Sequence, residues 1–314
     1  MLKIEGLTVK RKGSEPLRGA DLTVETGSIC GLVGGAGSGK DTLLRAVCGL
    51  VRPQAGTVEW DGEDLLHGRD VLRRLVSFIP WTREGVDHMT VAEYAEYCAQ
   101  MCGYEGFSAR SRAMEALAYV GLEPVAREMS LDLGGTDNRA LAFARCIIEQ
   151  PRLLVIEEWE TSGWMERGMT PAAALTEAAA GGTTVLLSSS SAAAVADFCT
   201  HLAVMRDGRI LLSGTPREFR TRMSSGYAWE VRVSSDADRA ETLLSELPQV
   251  RSLSRSGGRL AIHLEQDARP EELLAYLVRE GLPVTHFARR TTDLDGELQT
   301  LLGPQRKVVS RSEA

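Results

Sequence analysis

The chain has 314 residues, 43% of them hydrophobic and 25% charged, with a formal net charge of -7. That length gives room for a large domain and a smaller one, each around a real core, and the composition excludes a disordered or fibrous chain. The acidic balance excludes wholesale nucleic-acid binding, which needs a basic surface.

Six cysteines (Cys30, Cys48, Cys98, Cys102, Cys146, Cys199) are scattered through apolar segments without repeated close pairing, as buried thiols in a reducing compartment would be. No histidine stands near Cys98 and Cys102 to complete a zinc site. The opening MLKIEGLTVK lacks an apolar signal core. The uncharged run 183–196 is too short and too rich in hydroxyls for a bilayer span of about 20 apolar residues. The chain is not expected to cross a membrane by itself.

In chain order, the first strong signal is SICGLVG (28–34), a continuous apolar run of the kind that forms a strand covered on both faces. PRLLVIEE (151–158) and TTVLLSS (183–189) have the same character. Between them KDTLLRAVCGL (40–50), VAEYAEYCAQMCG (91–103), SRAMEALAYVG (111–121) and NRALAFARCIIEQ (138–150) have helical spacing; in the last, Leu141, Ala144, Ile147 and Ile148 share one side. Strands alternating with helices predict an α/β sandwich around a parallel sheet. HLAVMRDGRILLSG (201–214) is two apolar runs about Asp207-Gly208, a hairpin signal, and a short polar helix and a loop follow over 214–226. A second unit begins after Tyr227. WEVRVSS, DRAETLLSELP, VRSLSRSGGRLAIHLE, RPEELLAYLVREG and PVTHFARR give the order β-α-β-β-α-β of a ferredoxin-like split motif. DLDGELQTLLG (293–303) predicts a last helix, and 304–314 is a polar tail.

GGAGSGKDT (34–42) joins the first apolar strand to the first helix. Gly34, Gly39 and Lys40 meet the pattern G-x-x-x-x-G-K, with Gly35, Ala36, Gly37 and Ser38 between them. A strand, a glycine-rich turn and a helix opening near Lys40 turn backbone N–H groups and a helix N-terminus toward an anion, as a phosphate loop does. Asp41 stands where the usual hydroxyl binds magnesium. A carboxylate ~4 Å from a phosphate charge costs on the order of 4 kcal/mol at an effective dielectric of ~20, roughly a thousandfold in affinity. With magnesium between them the sign reverses and Asp41 becomes a ligand. Both readings stay open.

LTVETGSICGLVGGAGSGKDTLLRAVCGLVRPQAGTVEWDGEDL resembles the nucleotide-binding subunit of ATP-binding-cassette (ABC) transporters, and the likeness runs on to AVMRDGRILLSGTPREFR. LGGTDNRALAFARCIIEQPRLLVIEE resembles the signature helix with its following strand, and GGTTVLLSSSS the switch strand. The C-terminal unit is similar to the appendage of drug-export members such as the daunorubicin-resistance ATPases. The resemblance implies a P-loop NTPase sandwich over 1–222 with a helical subdomain at about 82–150, a ferredoxin-like accessory domain over 227–303 and the tail. It also implies ATP and magnesium as cofactors, a head-to-tail homo- or heterodimer with another ABC ATPase subunit, a membrane permease as partner, and a peripheral place on the cytoplasmic face of the cell membrane.

Carried over position by position, the resemblance gives Lys40 the β and γ phosphates, Thr42 the α phosphate, and Glu158 the attacking water as general base. Other positions depart from the pattern. No aromatic stands near Arg11 to stack on adenine. Trp81 replaces the glutamine that senses magnesium, and Leu133 replaces the signature serine before Gly134 and Gly135, which would set an apolar side chain against the partner's γ phosphate. Glu157 replaces the aspartate that holds magnesium, Trp159 the following proline, and Ser190 the switch histidine. With Asp41 and Glu157 as the remaining metal candidates, the departures gather on groups that do chemistry while the fold-making glycines persist. The expected function is a degenerate, weakly hydrolysing or non-hydrolysing exporter subunit. The alternatives are an active ATPase with a rewired magnesium site and a soluble nucleotide-sensing module. Tyr94, Tyr97, Cys98 and Met101 form a stripe that reads as core or as a protein contact.

Overall fold

The three continuous apolar runs become neighbours in the sheet. The computed structural model describes residues 1–289 except 12, 69–71, 73, 82–84, 87, 160–169, 224–226, 257–258 and 265–267. Within it β3 (Ile29–Val33), β7 (Leu153–Ile156) and β8 (Thr184–Ser189) are fully buried and parallel, with β8 between the other two. β9 (His201–Arg206) extends the sheet beyond β3, β6 (Val76–Ile79) extends it beyond β7, and β10 (Arg209–Gly214) closes one edge antiparallel, in the order β10-β9-β3-β8-β7-β6. Burial on both faces is why these strands read as unbroken apolar runs. The β9–β10 turn has Asp207 at φ 51° and Gly208 at φ 77°, the paired positive values of a tight hairpin.

A second sheet of β1 (Leu2–Arg11), β2 (Ser14–Val24), β4 (Ala55–Trp60) and β5 (Glu63–Asp64) is antiparallel, in the order β2-β1-β4-β5. The apolar runs did not announce it. Leu2, Ile4, Leu7 and Val9 are the buried residues of β1; their parity changes between Ile4 and Leu7, where the pairing shifts and Gly6 takes φ 58°. The irregularity returns the apolar chains to one face after an extra residue. It also breaks the period-two pattern that would reveal the strand.

α1 (Lys40–Val47) joins the two sheets: its Leu43, Leu44, Ala46 and Val47 share one core with Leu2 and Ile4 of β1 and with Leu32, Val155 and Leu186 of the parallel sheet. α2 (Val91–Met101), α3 (Gly106–Tyr119) and α4 (Gly135–Glu149) pack on one another, and a Thr90/Glu93 capping box starts α2. Tyr94 and Cys98 of α2 are buried whereas Tyr97 and Met101 are exposed, so that stripe divides between core and surface. α5 (Pro171–Ala180) precedes β8.

Two compact units divide the chain at Met1–Pro216 and Arg217–Ala314, a few residues before the boundary the sequence suggests. After α6 (Pro216–Met223), the second unit runs β11 (Tyr227–Val233), α7 (Ala237–Ser245), β12 (Val250–Ser256), β13 (Arg259–Leu264), α8 (Pro270–Arg279) and β14 (Val284–Arg289). Its sheet is antiparallel in the order β12-β13-β11-β14, over its own core of Val231, Leu244, Leu260, Ile262, Leu273 and Leu277. The helix expected over 293–303 and the tail lie outside the described residues. Among the described residues no helix is long and apolar enough to cross a membrane.

Candidate nucleotide-binding site

The chain leaves β3 at Gly34, where a side chain has no room: a Cβ there would lie 2.3 Å from the Met205 carbonyl oxygen. Gly35, Ala36 and Gly37 are exposed, and a Cβ at Gly35 or Gly37 would meet nothing within 4 Å. The loop is pinned behind this open rim. The Ser38 N–H donates to the Gly35 carbonyl at 3.2 Å, and the Ser38 carbonyl accepts from the N–H of Gly208 in the hairpin turn at 2.9 Å. Gly39, at φ 105°, turns the chain into α1 at a point where a Cβ would lie 2.3 Å from the Pro16 carbonyl oxygen. Lys40 is only 4% exposed; its Nζ donates to the carbonyls of Gly34 (2.7 Å) and Gly35 (3.2 Å) and so sits inside the loop. Open backbone, a helix N-terminus and an interior ammonium are the elements of an anion cradle. Thr42 is half-buried. Asp41 is exposed in the first turn of α1, where a carboxylate also suits the helix dipole.

Glu157 and Glu158 follow β7. Glu157 is 1% exposed, and its carboxylate accepts from Arg45 Nε (2.5 Å), from Arg45 Nη2 (3.1 Å) and from the Trp81 backbone N–H (3.2 Å). The Glu157 carboxylate holds the Arg45 pKa above its usual value, chiefly through this hydrogen bonding, and Asp41 adds a weaker pull. Glu158 takes φ 48°, a left-handed backbone costing roughly 1 kcal/mol for a residue with a Cβ. Its N–H donates to Ser188 Oγ at 3.0 Å, and its Oε1 lies 3.9 Å from Lys40 Nζ, at the mouth of the loop. Arg139 of α4 donates from Nη2 to the carbonyls of Glu157 (3.0 Å) and Glu158 (3.1 Å) while its guanidinium lies 4.8 Å from the Trp81 ring centroid.

Of the residues read from sequence, the fold brings the phosphate loop, Trp81, Glu157 and Glu158 to one end of the parallel sheet. Ser190 is exposed just past β8. It is Ser188 and Ser189 that brace the carboxylate segment, Ser189 Oγ donating to the Trp159 carbonyl at 2.9 Å. Gly134 and Gly135 open α4 with exposed backbone, but the Leu133 side chain is 2% exposed. The expectation that Leu133 offers an apolar side chain outward is therefore corrected: it is drawn into the chain's own core. Trp159 is likewise buried, its ring centroid 5.0 Å from that of Phe198, and the segment 160–169 after it lies outside the described residues.

Magnesium does not fit Glu157 as it stands. Glu157 spends both oxygens on Arg45, and an incoming dication would meet a guanidinium already seated there. Among the described residues no cluster of three or more His, Cys, Asp or Glu side chains could hold a metal. Arg45, Arg139, Ser188 and Ser189 escaped the sequence reading because their partners lie far along the chain, 112 residues away for Arg45.

A phosphate loop after a central parallel strand, a carboxylate strand two places along the sheet and a three-helix insertion between them give the fold of a P-loop NTPase of the ATP-binding-cassette type. Residues 17–161 match the family described as ABC transporter. It is similar to the daunorubicin/doxorubicin resistance ATP-binding protein DrrA of Streptomyces peucetius, 27% identical over all of this chain and 96% of that one. It is also similar to an uncharacterized ABC transporter ATP-binding protein, YxlF of Bacillus subtilis, 24% identical over 94% and 97% of the two chains. The spermidine/putrescine import ATP-binding protein PotA of Escherichia coli (strain K12) is 27% identical over 89% of this chain and 74% of its own. Among solved structures, an ATP-binding subunit of an ABC transporter superposes with a TM-score of 0.64 at 22% identity, over 71% of this chain and 93% of that one. A dimeric cassette bound to ADP and phosphate gives 0.57 at 21% identity, over 69% and 99%. These two show the same fold.

Proposed function

We propose that the chain is the ATP-binding subunit of a membrane exporter, one that hydrolyses ATP poorly or not at all and works beside a competent ATPase subunit and a permease. The observation that carries this reading is a contrast within one site. The glycines of the phosphate loop are all present, with Lys40 seated inside it, while Trp81, Leu133 and Ser190 supply none of the γ-phosphate ligands that the resemblance implies. Backbone amides and Lys40 bind nucleotide. The missing hydroxyl and imidazole remove transition-state donors, each worth about a hundredfold in rate, though such losses do not simply sum. Export is favoured over import by extent of likeness, since the match covers all of this chain and 96% of DrrA, against 89% of this chain and 74% of PotA. In this reading the subunit lies on the cytoplasmic face of the membrane and pairs with another cassette.

Phosphate release by the purified chain, alone and with a candidate mate, tests this. The expected result is no release that depends on Glu158, so that Glu158→Gln leaves the mixture unchanged. Glutamate-dependent turnover matching that of the mate would overturn it in favour of an active ATPase, a reading supported by the Glu158 carboxylate at the mouth of the loop.

A further inference from the structure

The Arg45–Glu157 pair has no part in the roles assigned so far. Glu157 is buried at 1% exposure, and a buried carboxylate needs a counter-charge or must give up its own. Arg45 supplies one in the strongest available form, a two-pronged donation from Nε at 2.5 Å and Nη2 at 3.1 Å. With the Trp81 N–H the carboxylate receives three hydrogen bonds on its two oxygens, close to its capacity of about four. Asp41 stands four residues before Arg45 on the same face of α1 and adds only a weak electrostatic pull on the guanidinium, whose hydrogen-bonded partner is Glu157. Glutamate reaches one methylene further than the aspartate that the resemblance places at 157.

We propose that the Arg45 guanidinium takes the place of the divalent cation at Glu157: it neutralises that carboxylate, shuts magnesium away from it, and leaves any nucleotide to bind through backbone amides and Lys40 without a metal ligand from Glu157. This rests on reading the loop as a nucleotide site. Hard dications need several oxygen ligands, and an arginine cannot yield its charge to make way for one.

The test is manganese binding by the full chain, read from the electron paramagnetic resonance of free Mn2+, with no nucleotide present. Wild type and Arg45→Lys, which keeps the charge, are expected to bind no Mn2+ at millimolar concentration. Arg45→Gln leaves the Glu157 carboxylate without its counter-charge and is expected to gain at least tenfold in Mn2+ affinity, a gain lost again in Arg45→Gln/Glu157→Gln. Equal Mn2+ binding by wild type and Arg45→Gln overturns the proposal, as does no binding by either. Should Arg45→Gln fail to fold, wild type alone decides through titration with a fluorescent ATP analogue in magnesium and in EDTA. Affinities within threefold of each other uphold the proposal, and a tenfold requirement for magnesium or no binding in either buffer overturns it. None of these outcomes depends on phosphate release, so this inference and the non-hydrolysing reading can fail separately.

Discussion

The two halves of the nucleotide site differ in how they are built. The phosphate loop is made almost wholly of backbone: Gly34 and Gly39 admit no Cβ, Gly35 and Gly37 open onto free space, and the one side chain that matters, Lys40, is bonded to carbonyls within its own loop. The carboxylate rim is made of side chains from five segments, Arg45, Trp81, Arg139, Glu157 with Glu158, and the serines at the end of β8. A site made of backbone survives exchange of residues as long as its glycines stay. A site made of side chains is rewritten by each exchange, and here it has become a set of internal bonds among Arg45, Glu157, Arg139 and Trp81.

The contrast is sharpest at single glycines. Gly39→Ala sets a Cβ against the Pro16 carbonyl at φ 105°, and we expect a loss of about 3 kcal/mol in urea unfolding, with the loop displaced. A loss under about 0.5 kcal/mol would mean that the loop is not held by close backbone approach. On the rim, Trp81→Ala removes the face on which Arg139 lies. A double-mutant cycle with Arg139→Ala is expected to give a coupling of about 0.5–1 kcal/mol, and zero coupling would separate the two residues. The smallest effect belongs to Gly35→Ala. Its Cβ meets nothing, so stability should stay within about 0.5 kcal/mol of wild type while affinity for a fluorescent ATP analogue falls; unchanged affinity would show that no phosphate lies against that backbone.

Legibility followed the same division. The phosphate loop, the continuous apolar strands and the Asp207-Gly208 hairpin were readable because each is written within a few consecutive residues. The antiparallel sheet was not, because the shift at Gly6 breaks the alternation of β1. Leu133 was readable as a replacement but not as a buried one, since position in a motif does not tell where a side chain turns.

Sequence alone determined that a strand, a glycine loop and a helix meet at Lys40, because the positive backbone angles at Gly37 and Gly39 are local demands that glycine meets. Tertiary structure alone decided what Glu157 faces. A carboxylate's meaning depends on which charge folding brings beside it, and the guanidinium that answers Glu157 arrives from 112 residues away.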